Sequence, residues 1–229
     1  MAAAVDSAAV AAASAAAARQ GVGEMAFLTE DEKLRLRERI EAAERRTSGE
    51  LVTVIARESD PYPFIPLLWA SVVALSLPPL ISLAGWWIDL PAVSLIQLTA
   101  FLLLSLLFRW PPLKIRLIPK ATKLRRAART AREQFLSQGV HNTTGRSGVL
   151  IFVSAAEHYV EILADQGINA KVPQEQWDSI VAAFVQAVKR GEVAAGFEQA
   201  IDACGTLLAT HFPAAPGDRN ELPDHLIEI

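Results

Sequence analysis

Leu51-Val52-Thr53-Val54-Ile55-Ala56 is a short β-branched run of the kind that fills a buried strand, and directly behind it the charge disappears. From Pro61 to Ile88 no residue is charged, Asp89 stands alone, and Leu90 to Phe108 is again uncharged. A helix needs about 20 apolar residues to cross the hydrocarbon core of a bilayer. Two stretches of that size, divided by Gly85-Trp86-Trp87-Ile88-Asp89-Leu90-Pro91, predict a helical hairpin that spans the membrane twice. Pro78 and Pro79 are expected to kink its first helix, as membrane helices tolerate proline. Trp86, Trp87 and Trp110 fall at the predicted ends, where an amphipathic ring suits the interface. The competing reading is a helical hairpin inside a soluble core, but such helices are usually shorter than a full span.

The rest of the composition fits one further domain. The chain has 229 residues, 52% of them hydrophobic, and the excess sits in the one block just described. A net charge of −3 gives no argument for nucleic acid as a partner. The single cysteine, Cys204, excludes an internal disulfide and a cysteine-based zinc site. Residues 1–26 are dominated by Ala, Ser and Val and lack the basic start and strongly apolar centre of a signal peptide, so they are expected to form a flexible tail.

Charge also orients the hairpin. Arg109, Lys114, Arg116, Lys120, Lys123, Arg125, Arg126, Arg129 and Arg132 follow it with no intervening acid, while the turn carries only Asp89. The positive-inside rule places this segment, and with it both termini, in the cytoplasm. Basic side chains this close to a span favour anionic lipid head groups, by about 1 kcal/mol each. Arg109, Lys114, Arg116, Lys120, Lys123, Arg125 and Arg126 are the expected membrane-surface residues.

Around the hairpin, residues 27–60 and 111–213 read as two parts of one α/β domain. Thr29-Glu30-Asp31-Glu32 is a capping box that opens a helix with Leu36, Ile40 and Ala43 on its apolar face, ended near Ser48-Gly49. After the hairpin, Lys120 to Gln138 has helical composition and the stretch Asn142-Thr143-Thr144-Gly145 marks a loop. Val149 to Val153 and His158 to Ala164 follow as strands, and Asp165 to Pro173 as a loop. Trp177, Ile180, Val181, Phe184, Val185 and Val188 line one closing helix; Val193, Phe197, Ile201, Cys204 and Leu208 line the next. Residues 214–229, rich in Pro, Asp and Glu, are expected to be an extended tail. The fold class is therefore α/β, a small αβα sandwich interrupted by a two-helix transmembrane hairpin.

Four segments follow in order: Leu28-Thr29-Glu30-Asp31-Glu32, Thr47-Ser48-Gly49-Glu50-Leu51-Val52, the stretch from Ser147 to Val153, and the stretch from Val160 to Ile168. Together they resemble the TPM domain family, in its bacterial membrane-bound branch. The Gly191-Glu192 break and Gly196-Phe197 fit as well. The resemblance implies one of several roles: acid phosphatase activity, calcium binding, or service as an accessory factor of membrane complexes. Typical members place Asp-Asn before the Gly-Val-Leu-Leu strand, where this chain has Arg146-Ser147. A cation there would face a positive charge and lack an oxygen ligand, which argues against bound Ca or Mg.

Three residues are candidate ligand contacts. Asp165, beside Gly167, stands at the acidic position of the family's loop; Glu50 opens the first strand at what is expected to be the same end of the sheet; Arg146 can pair with either. Each can equally be a solvated turn or strand-end residue. His141, His158, His211 and His225 show no metal-ligand spacing, no catalytic set stands out, and no cofactor is expected. The first expectation is a non-enzymatic accessory protein of the inner membrane that supports a membrane protein complex, with the bilayer and other membrane proteins, not nucleic acid, as partners. The second is a membrane-bound phosphatase dependent on a divalent cation.

Overall fold

The computed structural model describes residues 28–215 and 220–229. The expected tail at residues 1–26 lies outside the described residues. The chain divides into two units, one made of the parts before Asp60 and after Lys123, the other of Asp60–Lys123.

The first unit opens with α1 (Glu30–Glu44), and the capping box forms as expected. The Glu32 amide donates to the Thr29 hydroxyl at 3.3 Å, and the Thr29 amide donates to the Glu32 carboxylate at 2.7 Å. Leu36, Ile40 and Ala43 are its buried stripe. β1 (Glu50–Ala56) is buried throughout. β2 (Gly148–Ser154) runs parallel to it, with Glu50 opposite Gly148 and Ala56 opposite Ser154. Parallel neighbours require a crossover, usually helical. Part of that crossover is α5 (Lys120–Ser137), and the apolar hairpin is inserted ahead of it. β3 (Tyr159–Ala164) returns antiparallel to β2. It is followed by α6 (Gln166–Asn169), α7 (Gln174–Lys189) and α8 (Val193–His211).

Alternation along the strands sorts the core into two layers. Leu51, Ile55, Val149, Ile151 and Val153 pack with the stripes of α1, α7 and α8. Val52, Val54, Leu150, Phe152 and Tyr159 face the other way, onto Ala127 and Ala131 of α5. The αβα sandwich read from the sequence is thus present.

Two sequence expectations need correction. The segment after Asp165 is not all loop, because Asp165 caps the short helix α6. Nor does the C-terminal segment stand apart from the domain. Ile227–Glu228 forms β4, parallel to β1, and completes a four-stranded sheet in the order β3-β2-β1-β4. The reason lies in its few apolar residues: Leu226 is buried in one core layer while Leu222 and Ile227 pack against the other. The ladder also pairs backbone groups that β1 would otherwise leave open at a sheet edge.

In the second unit, α2 (Phe64–Leu83) and α3 (Leu90–Leu107) are both long and apolar enough to cross a membrane. α2 remains helical through Pro78 and Pro79. Only Pro66, Ala70 and Ala74 of α2 are buried, and no residue of α3 is. Leu67, Leu68, Leu75, Leu98, Leu102 and Leu106 are all exposed, as are Trp86, Trp87 and Trp110. The helix expected from Lys120 is present as α5, and a further short helix precedes it in the basic segment. Pro111 and Pro112 start α4 (Pro111–Leu117), since proline suits a first helical position, and Ile118 is extended ahead of Pro119.

Candidate functional site

Glu50 and Asp165 do lie at one end of the sheet, on either side of the loop that enters β2. The Glu50 amide donates to the Ser147 carbonyl at 3.1 Å, and the Asp165 amide donates to the Gly148 carbonyl at 2.9 Å. This is the amino-terminal end of the parallel pair β1–β2. The ligand rule for open α/β sheets concerns the carboxyl-terminal end, so the rule gives these residues no support. At the carboxyl-terminal end the space is filled by polar contacts of the chain itself. The Ser59 amide donates to both Glu157 oxygens, at 3.1 and 3.0 Å, the Ser154 hydroxyl also bonds Glu157, and Thr130 donates to the Ser59 carbonyl at 3.0 Å.

The structure brings Arg146 and Asp165 together. Arg146 Nη1 lies 3.8 Å from Asp165 Oδ1, which also accepts from the Gln166 amide at 2.7 Å. Asp165 is 7% exposed, and its Oδ2 is buried without a hydrogen-bond partner. Arg146 sits in the left-handed region at φ 55°, right after Gly145 at φ 84°. Ser147 is held by the Thr143 hydroxyl on its amide (3.0 Å) and donates its own hydroxyl to the Ser48 carbonyl (3.0 Å).

Glu50 turns elsewhere. Its Oε1 accepts from the Glu221 amide at 3.2 Å, and its Oε2 is buried and unpaired. Burial raises its pKa, and the neighbouring Glu221 and Asp224 carboxylates add to the shift. Close by, Glu44 accepts from the Leu51 amide at 3.0 Å, and burial pushes its pKa up to about 9, with Glu50 and Asp224 acting in the same direction. Glu221 closes the group by accepting from the Thr144 amide (2.9 Å) and hydroxyl (2.6 Å), which holds its pKa low.

Reasoning from sequence missed Glu44, Glu221 and Asp224. Glu44 was detectable, since it follows Ile40 by one helical turn and so falls on the stripe of Leu36 and Ile40. Glu161 was detectable by the same logic. It alternates with Tyr159 on one face of β3, accepts from the Tyr159 hydroxyl at 2.8 Å, and has its pKa raised by burial. Cys204 packs in the core as expected, and burial pushes its thiol up to about 12.

A divalent cation, which the family resemblance implies, does not fit beside Asp165. The Arg146 guanidinium puts a positive charge 3.8 Å from that carboxylate, and Ser147 spends its hydroxyl on Ser48. Among the described residues, no group of three or more His, Cys, Asp or Glu is placed to hold a metal ion.

A mixed sheet with one helix on one face and three on the other, and a short capped helix after its antiparallel edge strand, defines a small αβα domain. The family model of the TPM domain matches residues 116–207. The chain is also similar to a solved structure, the NMR structure of BA42 protein from the psychrophilic bacterium Bizionia argentinensis. The two share 22% identity over 91% of this chain and 100% of that one, with a TM-score of 0.59, a likeness of fold. No curated protein matches the chain.

Proposed function

We propose that this chain is a membrane-anchored, TPM-like accessory protein of the bacterial inner membrane, without catalysis of its own, that supports the assembly or maintenance of a membrane protein complex. The observation that carries the reading is the exposure of α2 and α3, two spanning-length apolar helices that bury almost nothing. Leaving a large apolar side chain in water forgoes about 1.5–3 kcal/mol, and a contiguous apolar patch beyond roughly a few hundred Å2 calls for lipid or protein cover. Connectivity supports a hairpin over a single span. The chain leaves after β1 and returns to pair β2 in the same sheet, so it must cross an even number of times. The basic residues from Arg109 to Arg126 then fall beside the cytoplasmic leaflet with both termini, in contact with anionic lipid.

Detergent-free lysis followed by ultracentrifugation tests the anchor. The protein should pellet with membranes, resist alkaline carbonate and be released by detergent; recovery in the supernatant would refute the reading. Affinity purification from detergent-solubilised membranes should then bring down a stoichiometric membrane protein.

One observation favours a second reading, a phosphatase: the unpaired Asp165 oxygen beside Arg146. A phosphomonoester assay on the full chain in detergent, with and without divalent ions, separates the two. Hydrolysis that Asp165→Asn abolishes would establish the phosphatase in place of the accessory protein.

A further inference from the structure

The one strongly polar side chain deep in the hairpin is Gln97. At 1.5 Å per residue it lies about 10 Å from one end of α3 and about 15 Å from the other, out of reach of either interface. Three serines in these helices satisfy themselves within their own helix. Ser76 donates to the Val73 carbonyl at 2.7 Å, Ser94 to Leu90 at 2.9 Å, and Ser105 to Leu102 at 2.9 Å. Among the described residues, no hydrogen bond reaches the Gln97 amide. Gln97 instead lines a groove of about 380 Å3 between α2 and α3, with Ser71 and Ala74 on one wall and Ser94, Leu98 and Phe101 on the other.

Resting on the membrane reading above, we propose that this groove is the contact face of a twofold dimer, in which Gln97 of one copy bonds Gln97 of the second. In hydrocarbon neither lipid nor water offers the amide a partner, so it must find one in protein. A primary amide is both donor and acceptor, so two of them facing across a twofold axis satisfy each other, and such an interface uses the same patch on both subunits. Neither span carries a charged residue within the helix that would select an ionic partner. Ser71 and Ala74 are small enough to let a neighbouring helix approach closely, the usual condition for helix association in lipid.

The test uses the full chain in liposomes at graded protein-to-lipid ratios, with self-association read by resonance energy transfer between labelled copies. Wild type should dimerise. Gln97→Leu should weaken the dimer by roughly fivefold, since interhelical hydrogen bonds in membranes contribute about 1 kcal/mol. Gln97→Asn should retain part of the affinity, Ser71→Leu should also weaken it by filling the groove, and Leu103→Ala, away from the groove, should match wild type. Circular dichroism showing unchanged helix content guards against loss of fold. A monomeric wild type, or Gln97→Leu dimerising as tightly as wild type, overturns the proposal while leaving the membrane anchor standing. Recovery of the protein in the soluble fraction overturns both.

Discussion

Replacing Gly167 by alanine should destabilise the domain, although the substitution lies in a helix, where alanine is ordinarily preferred. A Cβ built on Gly167 would come within 2.5 Å of the Gly145 carbonyl oxygen and 2.7 Å of the Arg146 carbonyl oxygen. Both are backbone atoms, and their loop is pinned. The Arg146 amide donates to Thr143 (3.0 Å), and the Ser147 carbonyl accepts from Glu50 (3.1 Å). The helix gains up to about 1 kcal/mol from losing a glycine, less in a segment as short as α6. Overpacking against atoms that cannot retreat costs about 1–3 kcal/mol. The clash wins, leaving a net loss of about 1–2 kcal/mol, or roughly 2–8 °C in Tm for a chain of this size. Thermal unfolding of the full chain in detergent, followed by circular dichroism, measures this. Gly196→Ala is the control. Its nearest neighbours are side-chain atoms of Ala187 and Phe184 at 3.4 Å, so it should unfold at or slightly above the wild-type temperature. If Gly167→Ala unfolds no earlier than wild type, the tight approach of α6 to the Gly145–Arg146 loop is wrong.

Three further outcomes follow from the same geometry. Glu44 has a folded pKa of about 9, above its ordinary 4.5, so the folded state holds this proton more tightly than the unfolded chain. Its contribution is complete below pH 4.5 and is lost as the pH rises toward 9; Glu44→Gln, always neutral, should therefore match wild type near pH 4 and exceed it in denaturant midpoint near pH 9, a residual slope remaining from Glu50. Phe197→Ala removes one ring of an edge-to-face pair with Phe184, centroids 5.0 Å apart in the core, and should cost about 3–5 kcal/mol by urea titration. Arg146→Ala should change stability by less than about 1 kcal/mol, because the side chain is 61% exposed and its pair is long at 3.8 Å.

The hairpin and the capped first helix were legible because each is written locally. A run without charge, or a Thr29–Glu32 box ahead of Leu36 and Ile40, needs no distant partner to be read. The same holds for the core strands, whose β-branched composition marks burial on both faces. The candidate site was legible only in part. Arg146 and Asp165 meet across the loop entering β2, as the sequence allowed, whereas Glu50 turns toward Glu221, a partner far along the chain. Sequence periodicity carries no information about such a pairing.

By itself, then, the sequence determined where the chain is apolar, where its helices begin, and which residues alternate into a core, since burial of apolar surface follows from the local order of side chains. Only the tertiary structure decided that the last residues form the fourth strand, that the carboxylates of Glu44, Glu50 and Asp224 gather, and that Glu50 and Asp165 sit at the amino-terminal rather than the carboxyl-terminal end of the parallel strands. Those facts depend on which strand neighbours which and in which direction. Strand order is fixed by the closing of long loops over two core layers, a property of the whole chain that no single segment carries.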